Sequence, residues 1–187
     1  MPPAADAPDF VVHYTWGEPF RSMMELDDAA RRALLRAGAV SHPQRYDDPT
    51  YVDTRRRCEA RMYEQLVAAG GAPLVRHPHY ALMGRSRRAE ARLPQTGSAW
   101  ACPLSRLPAR RVSFTWDDSF LFDPAFRALC GRDHPASGQL YTLDRLDEVL
   151  ERWGPTTDRP AWQWLEFQLW YTPAPGDFQA LDRLAPA

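Results

Sequence analysis

The chain has 187 residues, of which 44% are hydrophobic, 12% aromatic and 25% charged. That is one domain's worth of chain with enough apolar material for a core, which excludes a disordered tail, a collagen-like rod and a disulfide-stapled miniprotein. The 23 basic residues are all Arg and stand against 24 acidic ones; a net charge of −1 argues against a dedicated nucleic-acid binder. There is no run of about 18 apolar residues to span a membrane, and Met1 to Pro8 carry neither the basic nor the apolar region of a secretory signal. Three unpatterned cysteines, Cys58, Cys102 and Cys130, fit a cytoplasmic chain with reduced thiols.

No repeat, low-complexity tract or linker divides the sequence, so a single domain over 1–187 is expected, with residues 1–9 disordered. Phe10 to Trp16 is rich in β-branched and aromatic residues and predicts a first strand. Met23 to Ala37 predicts a helix stopped by Gly38, and Pro43 to Pro49 a loop. Thr54 to Ala69 is the clearest helix: Cys58, Met62 and Leu66 recur at i, i+4 and i+8, and Gly70-Gly71 ends it. Pro73 to Val75 and Tyr80 to Met83 predict short strands about a His77-Pro78-His79 bend, followed by a polar loop over Arg85 to Gly97. Trp100 to Leu104 and Arg111 to Trp116 predict further strands; in the second, Val112, Phe114 and Trp116 alternate with Ser113 and Thr115. Phe126 to Cys130 suits one helical turn, and Thr142 caps a helix to Trp153 with an apolar stripe. Trp162 to Tyr171 predicts a strand, and Asp177 caps a final helix through Leu184. Helices early, strands late and short connections favour an α+β fold.

The sequence lacks a Gly-rich phosphate loop and a G-x-S-x-G elbow, and no Cys pair has metal spacing. His77 and His79 stand at i, i+2 without a nearby Cys or acidic partner, so no metal site is expected. The Arg runs at 55–57, 85–88 and 110–111 read as solvated surface charge. Cys102 and Cys130 lack an activating base. On the last long strand Glu166 and Gln168 share one face while Leu165, Phe167 and Leu169 share the other, the pattern of an edge strand with one wet face.

Three blocks in order carry a resemblance: Arg76-His77-Pro78-His79-Tyr80-Ala81-Leu82-Met83, Gly97-Ser98-Ala99-Trp100-Ala101-Cys102-Pro103-Leu104, and Arg111-Val112-Ser113-Phe114-Thr115-Trp116-Asp117-Asp118-Ser119. With Glu166-Phe167-Gln168-Leu169-Trp170-Tyr171 they resemble a bacterial family catalogued as domain of unknown function 3626, over residues of about 73 to 184. In that family the blocks read Arg-Pro-x-Tyr-Gly-Ala-Leu, Gly-Ser-Cys-His, Thr-Phe-Thr-x-Gly-Asp-Ser and Glu-x-Gln-x-His-Gly. This chain departs from them at Ala101-Cys102, at Asp117 in place of Gly, and at Trp170-Tyr171.

The same skeleton, an early strand with His, a middle strand with Ser/Thr and a late strand with Glu, resembles the ADP-ribosyltransferase superfamily. The resemblance implies a split pair of small antiparallel sheets with flanking helices and a central cleft for NAD. It also implies mono-ADP-ribosyltransferase activity toward an unknown acceptor (protein, nucleic acid or small molecule), as in a bacterial toxin or effector exported without a classical signal and paired with an immunity or partner protein. Carried over, Glu166 and Gln168 become catalytic. His13, Tyr14, Thr15, Arg76, Tyr80, Ser113 and Thr115 become NAD-binding, with Tyr80 or Tyr14 on the nicotinamide and Arg76 on the diphosphate. The alternatives are a non-catalytic interaction module on the same fold, for which seven Trp would supply an aromatic face, and a nucleotide- or RNA-modifying enzyme.

Overall fold

A computed structural model describes residues 7–38, 43–94, 97–131, 134–153, 165–174 and 176–182. The chain is α+β. Among the described residues the strands are β1 (Phe10–Thr15), β2 (His79–Met83), β3 (Ser98–Pro103), β4 (Val112–Trp116), β5 (Leu140–Thr142), β6 (Leu165–Leu169) and β7 (Gln179–Leu181). They form one sheet, entirely antiparallel, in the order β5-β4-β6-β2-β1-β3-β7. This corrects the expectation of two separate small sheets. The sheet is narrowest at the β1–β2 seam, where only Val11↔Met83 and Val12↔Leu82 pair.

Among the described residues the α-helices that accompany it are α1 (Asp28–Arg36), α2 (Tyr51–Ala68), α3 (Arg87–Glu90), α4 (Pro124–Cys130) and α5 (Leu146–Trp153). Helix α1 starts later than the expected Met23, because the Asp27 side chain accepts from the Ala30 N–H and so caps it there. Helix α2 ends as the sequence predicts. Gly70 takes φ 85° and its N–H donates to the Val67 carbonyl, while the Gly71 N–H donates to Leu66. That is a Schellman closure, which needs a residue free to adopt a left-handed backbone.

Several expectations change. Pro73 to Val75 is not a strand, and a 3-10 turn occupies Pro43–Asp47. Strand β5 stands before a 3-10 turn at Leu143–Arg145, so α5 begins only at Leu146. The expected helix after Asp177 is instead β7, which pairs with β3 through Ala99↔Leu181, Trp100↔Ala180 and Ala101↔Gln179; the unpaired edge of β3 captures it. Residues 7–9 are docked: the Asp9 carbonyl accepts from the Leu104 N–H, and Ala7 packs on the core. Residues 1–6, Trp162 to Trp164 and Leu184 lie outside the described residues.

Alternation along the strands sorts the sheet into two faces. On one, Val11, Ala81, Phe114, Phe167 and Leu169 pack with Leu146, Val149 and Leu150 of α5. The other is covered by the Cys58–Met62–Leu66 stripe of α2, packed with Phe122 and Trp170. Strand β6 lies between β4 and β2, so it is not an edge strand, and its Gln168 faces a helix and is fully buried.

Candidate active site around Glu166

Beneath α2, Ser113, Gln168 and Trp170 form a closed polar seam. Ser113 Oγ donates to Gln168 Oε1 at 2.9 Å and accepts from Trp170 Nε1 at 2.8 Å. Gln168 Nε2 donates to Thr115 Oγ1 at 3.1 Å and to its own strand's Glu166 carbonyl at 2.9 Å. Every polar atom of the Gln168 amide is satisfied where a bare amide in a core would cost about 1–3 kcal/mol. The seam therefore fixes strand β6 against β4, and with it the direction of Glu166. Ser113, Thr115 and Gln168 brace the glutamate strand rather than line a surface: each is at most 1% exposed.

Glu166 itself is half-buried, and its Oε1 accepts from the Ser119 N–H at 3.3 Å. Burial, and then the neighbouring Asp118, push its pKa up to about 7, while Arg55 pulls in the opposite direction. The turn carrying Asp118 and Ser119 is shaped by Asp117, whose φ is 66°. Asp117 stands where the resembled family has glycine, and its backbone conformation is one that glycine favours; Asp tolerates it better than a branched residue would.

Arg55 approaches from α2. Its Nη1 donates to Ser119 Oγ at 2.9 Å and its Nε to Glu59 Oε1 at 3.1 Å. Its guanidinium carbon lies 3.9 Å from the Tyr80 ring centroid and 4.9 Å from that of Phe120, a cation–π placement on both rings. Burial works against the Arg55 charge but is outweighed by Tyr80, Glu59 and Glu166, so the group stays ionised. Glu59, with its side chain 1% exposed, also accepts from Tyr80 Oη at 2.9 Å and from His77 Nδ1 at 2.6 Å. A carboxylate so deeply buried is tenable because its lone pairs meet a cation and two further donors. Burial, first among several influences, holds the Tyr80 phenol protonated.

The residues expected to hold NAD divide. Tyr80 joins Glu166, with Ser113 and Thr115 behind it. His13 and Thr15 do not: Leu82 pairs with both Val12 and Glu166, so these share a face, and the neighbouring His13 points to the other. There His13 Nε2 accepts from the Phe20 N–H at 3.3 Å, which leaves the proton on Nδ1 to donate to the Tyr80 carbonyl at 2.7 Å. The ring stacks on Phe20 at 4.5 Å, and burial lowers its pKa to about 4. His13 is a neutral structural histidine that replaces a missing ladder bond at the β1–β2 seam. The Thr15 hydroxyl closes a local turn with the Gly17 and Glu18 carbonyls. Tyr14 is on the Glu166 face, but its hydroxyl accepts from the Ser86 N–H at 2.7 Å and lies 3.4 Å from Glu90, away from the carboxyl. Arg76 is exposed and stacks over Tyr63 at 4.4 Å. It does not reach the site.

Sequence reasoning missed Arg55, Glu59 and Ser119. The signal existed for two of them, because 55, 59, 62 and 66 fall on one helical face with the apolar stripe. His77 and His79 part company, His77 going to Glu59 and His79 to the opposite face near Phe20. Burial raises the Cys58 thiol to about 11, which keeps it unreactive at neutral pH. No family model, curated protein or solved structure matches this chain.

Proposed function

We propose that the Glu166 face is the active site of a mono-ADP-ribosyltransferase-like enzyme that uses NAD as donor. The observation that carries this reading is Glu166 itself. It is a half-buried carboxyl on a braced strand, held by one backbone N–H, with a pKa raised to about 7, next to a charged Arg55 and the Tyr80 ring. A carboxyl with these properties suits a reaction in which positive charge develops on a sugar ring and a proton is then removed.

In the proposed reaction the bond between C1′ of the nicotinamide ribose and the nicotinamide nitrogen breaks, and its electron pair leaves with nicotinamide. The ionised Glu166 stabilises the oxocarbenium-like ribose. The acceptor's nucleophile then bonds to C1′, and its proton passes to Glu166. The Gln168 seam and the Ser119 N–H hold the carboxyl in place, so little reorganisation accompanies the charge development. Arg55 and Tyr80 are positioning residues here, since both are already engaged with Glu59.

Nicotinamide release from NAD, with NAD binding followed by calorimetry, tests this reading. Glu166→Gln should reduce turnover by about 100-fold or more while NAD affinity stays nearly constant. Unchanged turnover in the variant would remove Glu166 from the reaction. A wild-type chain that does not bind NAD at all would overturn the transferase reading in favour of an interaction module.

A further inference from the structure

A cavity of about 430 Å3 opens between α2, the 3-10 turn Ser119–Phe122 and α4. Its charged walls are Arg61 and Glu64 of α2 and Arg127 of α4, with Gln65 beside them and Leu121 and Phe122 as an apolar floor. Arg61 lies six residues beyond Arg55, about 9 Å along the helix, so the cavity neighbours the Glu166 site without containing it.

The two arginines are held without a carboxylate partner among the described residues, as Arg106 and Arg110 also are, but only Arg61 and Arg127 line one cavity together. Arg31, Arg55, Arg85 and Arg145 each meet a carboxylate within hydrogen-bond distance. Arg61 and Arg127 instead donate to backbone carbonyls, Arg61 Nη1 to Phe122 at 2.6 Å and Arg127 Nη1 to Ser137 at 3.3 Å. These bonds fix both guanidiniums and neutralise neither. Gly138, at φ 72°, keeps room for Arg127: a Cβ there would stand 2.8 Å from Nη1 and 3.0 Å from the Leu121 carbonyl. Two held guanidiniums, with no carboxylate partner among the described residues, make a fork-like anion site on one cavity, because each presents further N–H groups in a fixed plane. Gln65 Oε1 accepts from the Leu140 N–H, which leaves its amide NH2 as another donor at the wall.

We propose that this cavity binds the phosphate or diphosphate group of a small nucleotide-sized ligand, with Arg61 and Arg127 as its anion-binding pair. Glu64, of the wrong sign for a phosphate, serves as an acceptor for the ligand's hydroxyl groups. The inference does not depend on the transferase reading.

Calorimetry with inorganic diphosphate, ADP and adenosine tests it on the full chain, on Arg61→Gln and Arg127→Gln, and on Glu166→Gln. The wild type and Glu166→Gln should bind diphosphate and ADP alike, ADP more tightly, and adenosine should not bind. Each arginine variant should weaken diphosphate by about tenfold or more, the worth of a charge-assisted pair. Glu64→Gln should tighten diphosphate several-fold by removing a repelling charge. Thermal unfolding checks that the variants are folded; if Arg127→Gln is not, Arg61→Gln alone decides. No diphosphate binding, or binding indifferent to the folded arginine variants, overturns the proposal.

Discussion

Arg55 and Glu166 are joined through a single residue: Arg55 Nη1 donates to Ser119 Oγ at 2.9 Å, and the Ser119 N–H donates to Glu166 Oε1 at 3.3 Å. One side chain on a helix thereby controls both the position and the charge of a carboxyl on a strand. Removing the guanidinium should raise the Glu166 pKa further, by about one unit or more, because a charge of opposite sign is withdrawn from a half-buried carboxyl. Carbon-13 NMR titration of the Glu carboxyls in Arg55→Met, with Glu166→Gln for assignment, reads this. Arg55→Lys should restore part of the shift. A Glu166 pKa that stays at about 7 in Arg55→Met would show that Arg55 has only a packing role.

The proposed reaction needs Glu166 ionised, and its pKa is pushed to about 7. Turnover should therefore rise with pH through neutrality and level off above about pH 8. A rate profile flat between pH 6 and 8 would contradict a role for the ionised carboxyl.

His13 lies on the face opposite Glu166, with both ring nitrogens engaged. His13→Gln should accordingly lower thermal stability and leave NAD turnover per folded molecule within about twofold of wild type. A hundredfold loss without unfolding would return His13 to the reaction. Tyr80→Phe, which takes a donor from Glu59, should affect the site more.

The buried histidines and Glu166 act on stability with opposite sign. His13 and His79 titrate at about 4 in the fold, against about 6.5 when unfolded, so between these pH values the unfolded chain binds more protons. Stability should rise with pH through that window, by about 3 kcal/mol for a group as buried as His79. Glu166, raised from 4.5 to about 7, binds protons in the fold; its contribution is full below about pH 4.5 and is lost as pH rises through 7. Denaturant unfolding from pH 4 to 8 should show Glu166→Gln abolishing the decline toward pH 7. His79→Gln should flatten the rise from pH 4 to 6.5. Identical slopes in wild type and both variants would refute this assignment.

Leu66 is fully buried, and its side chain fills the space that a Cβ on Gly71 would enter at 2.4 Å. Leu66→Ala should destabilise by about 2–5 kcal/mol. Gly71→Ala should also destabilise, since the Leu66 carbonyl stands only 2.8 Å from the added carbon. Chemical denaturation of both measures it, and a neutral Gly71→Ala would mean that the helix end rearranges freely.

The sequence by itself determined the local grammar of this protein. The alternation of Ser113 and Thr115 with Val112, Phe114 and Trp116 put polar and apolar side chains on opposite faces of β4, and the same period separated Glu166 and Gln168 from Leu165, Phe167 and Leu169. The Cys58, Met62 and Leu66 spacing marked the buried stripe of α2, and Gly70-Gly71 marked its end. These are short-range consequences of helical and strand periods, which residue type alone can express.

What only the tertiary structure decided depends on which strands become neighbours. The register of Leu82 with both Val12 and Glu166 turned His13 away from the glutamate, and a shift of one residue would have turned it back. Arg55 sits in a run of three arginines that reads as surface charge; only the sheet beneath α2 buries it against Tyr80, Glu59 and Ser119. The segment after Asp177 became a strand because β3 offered an open edge, a long-range hydrogen-bonding opportunity that its own short sequence does not record.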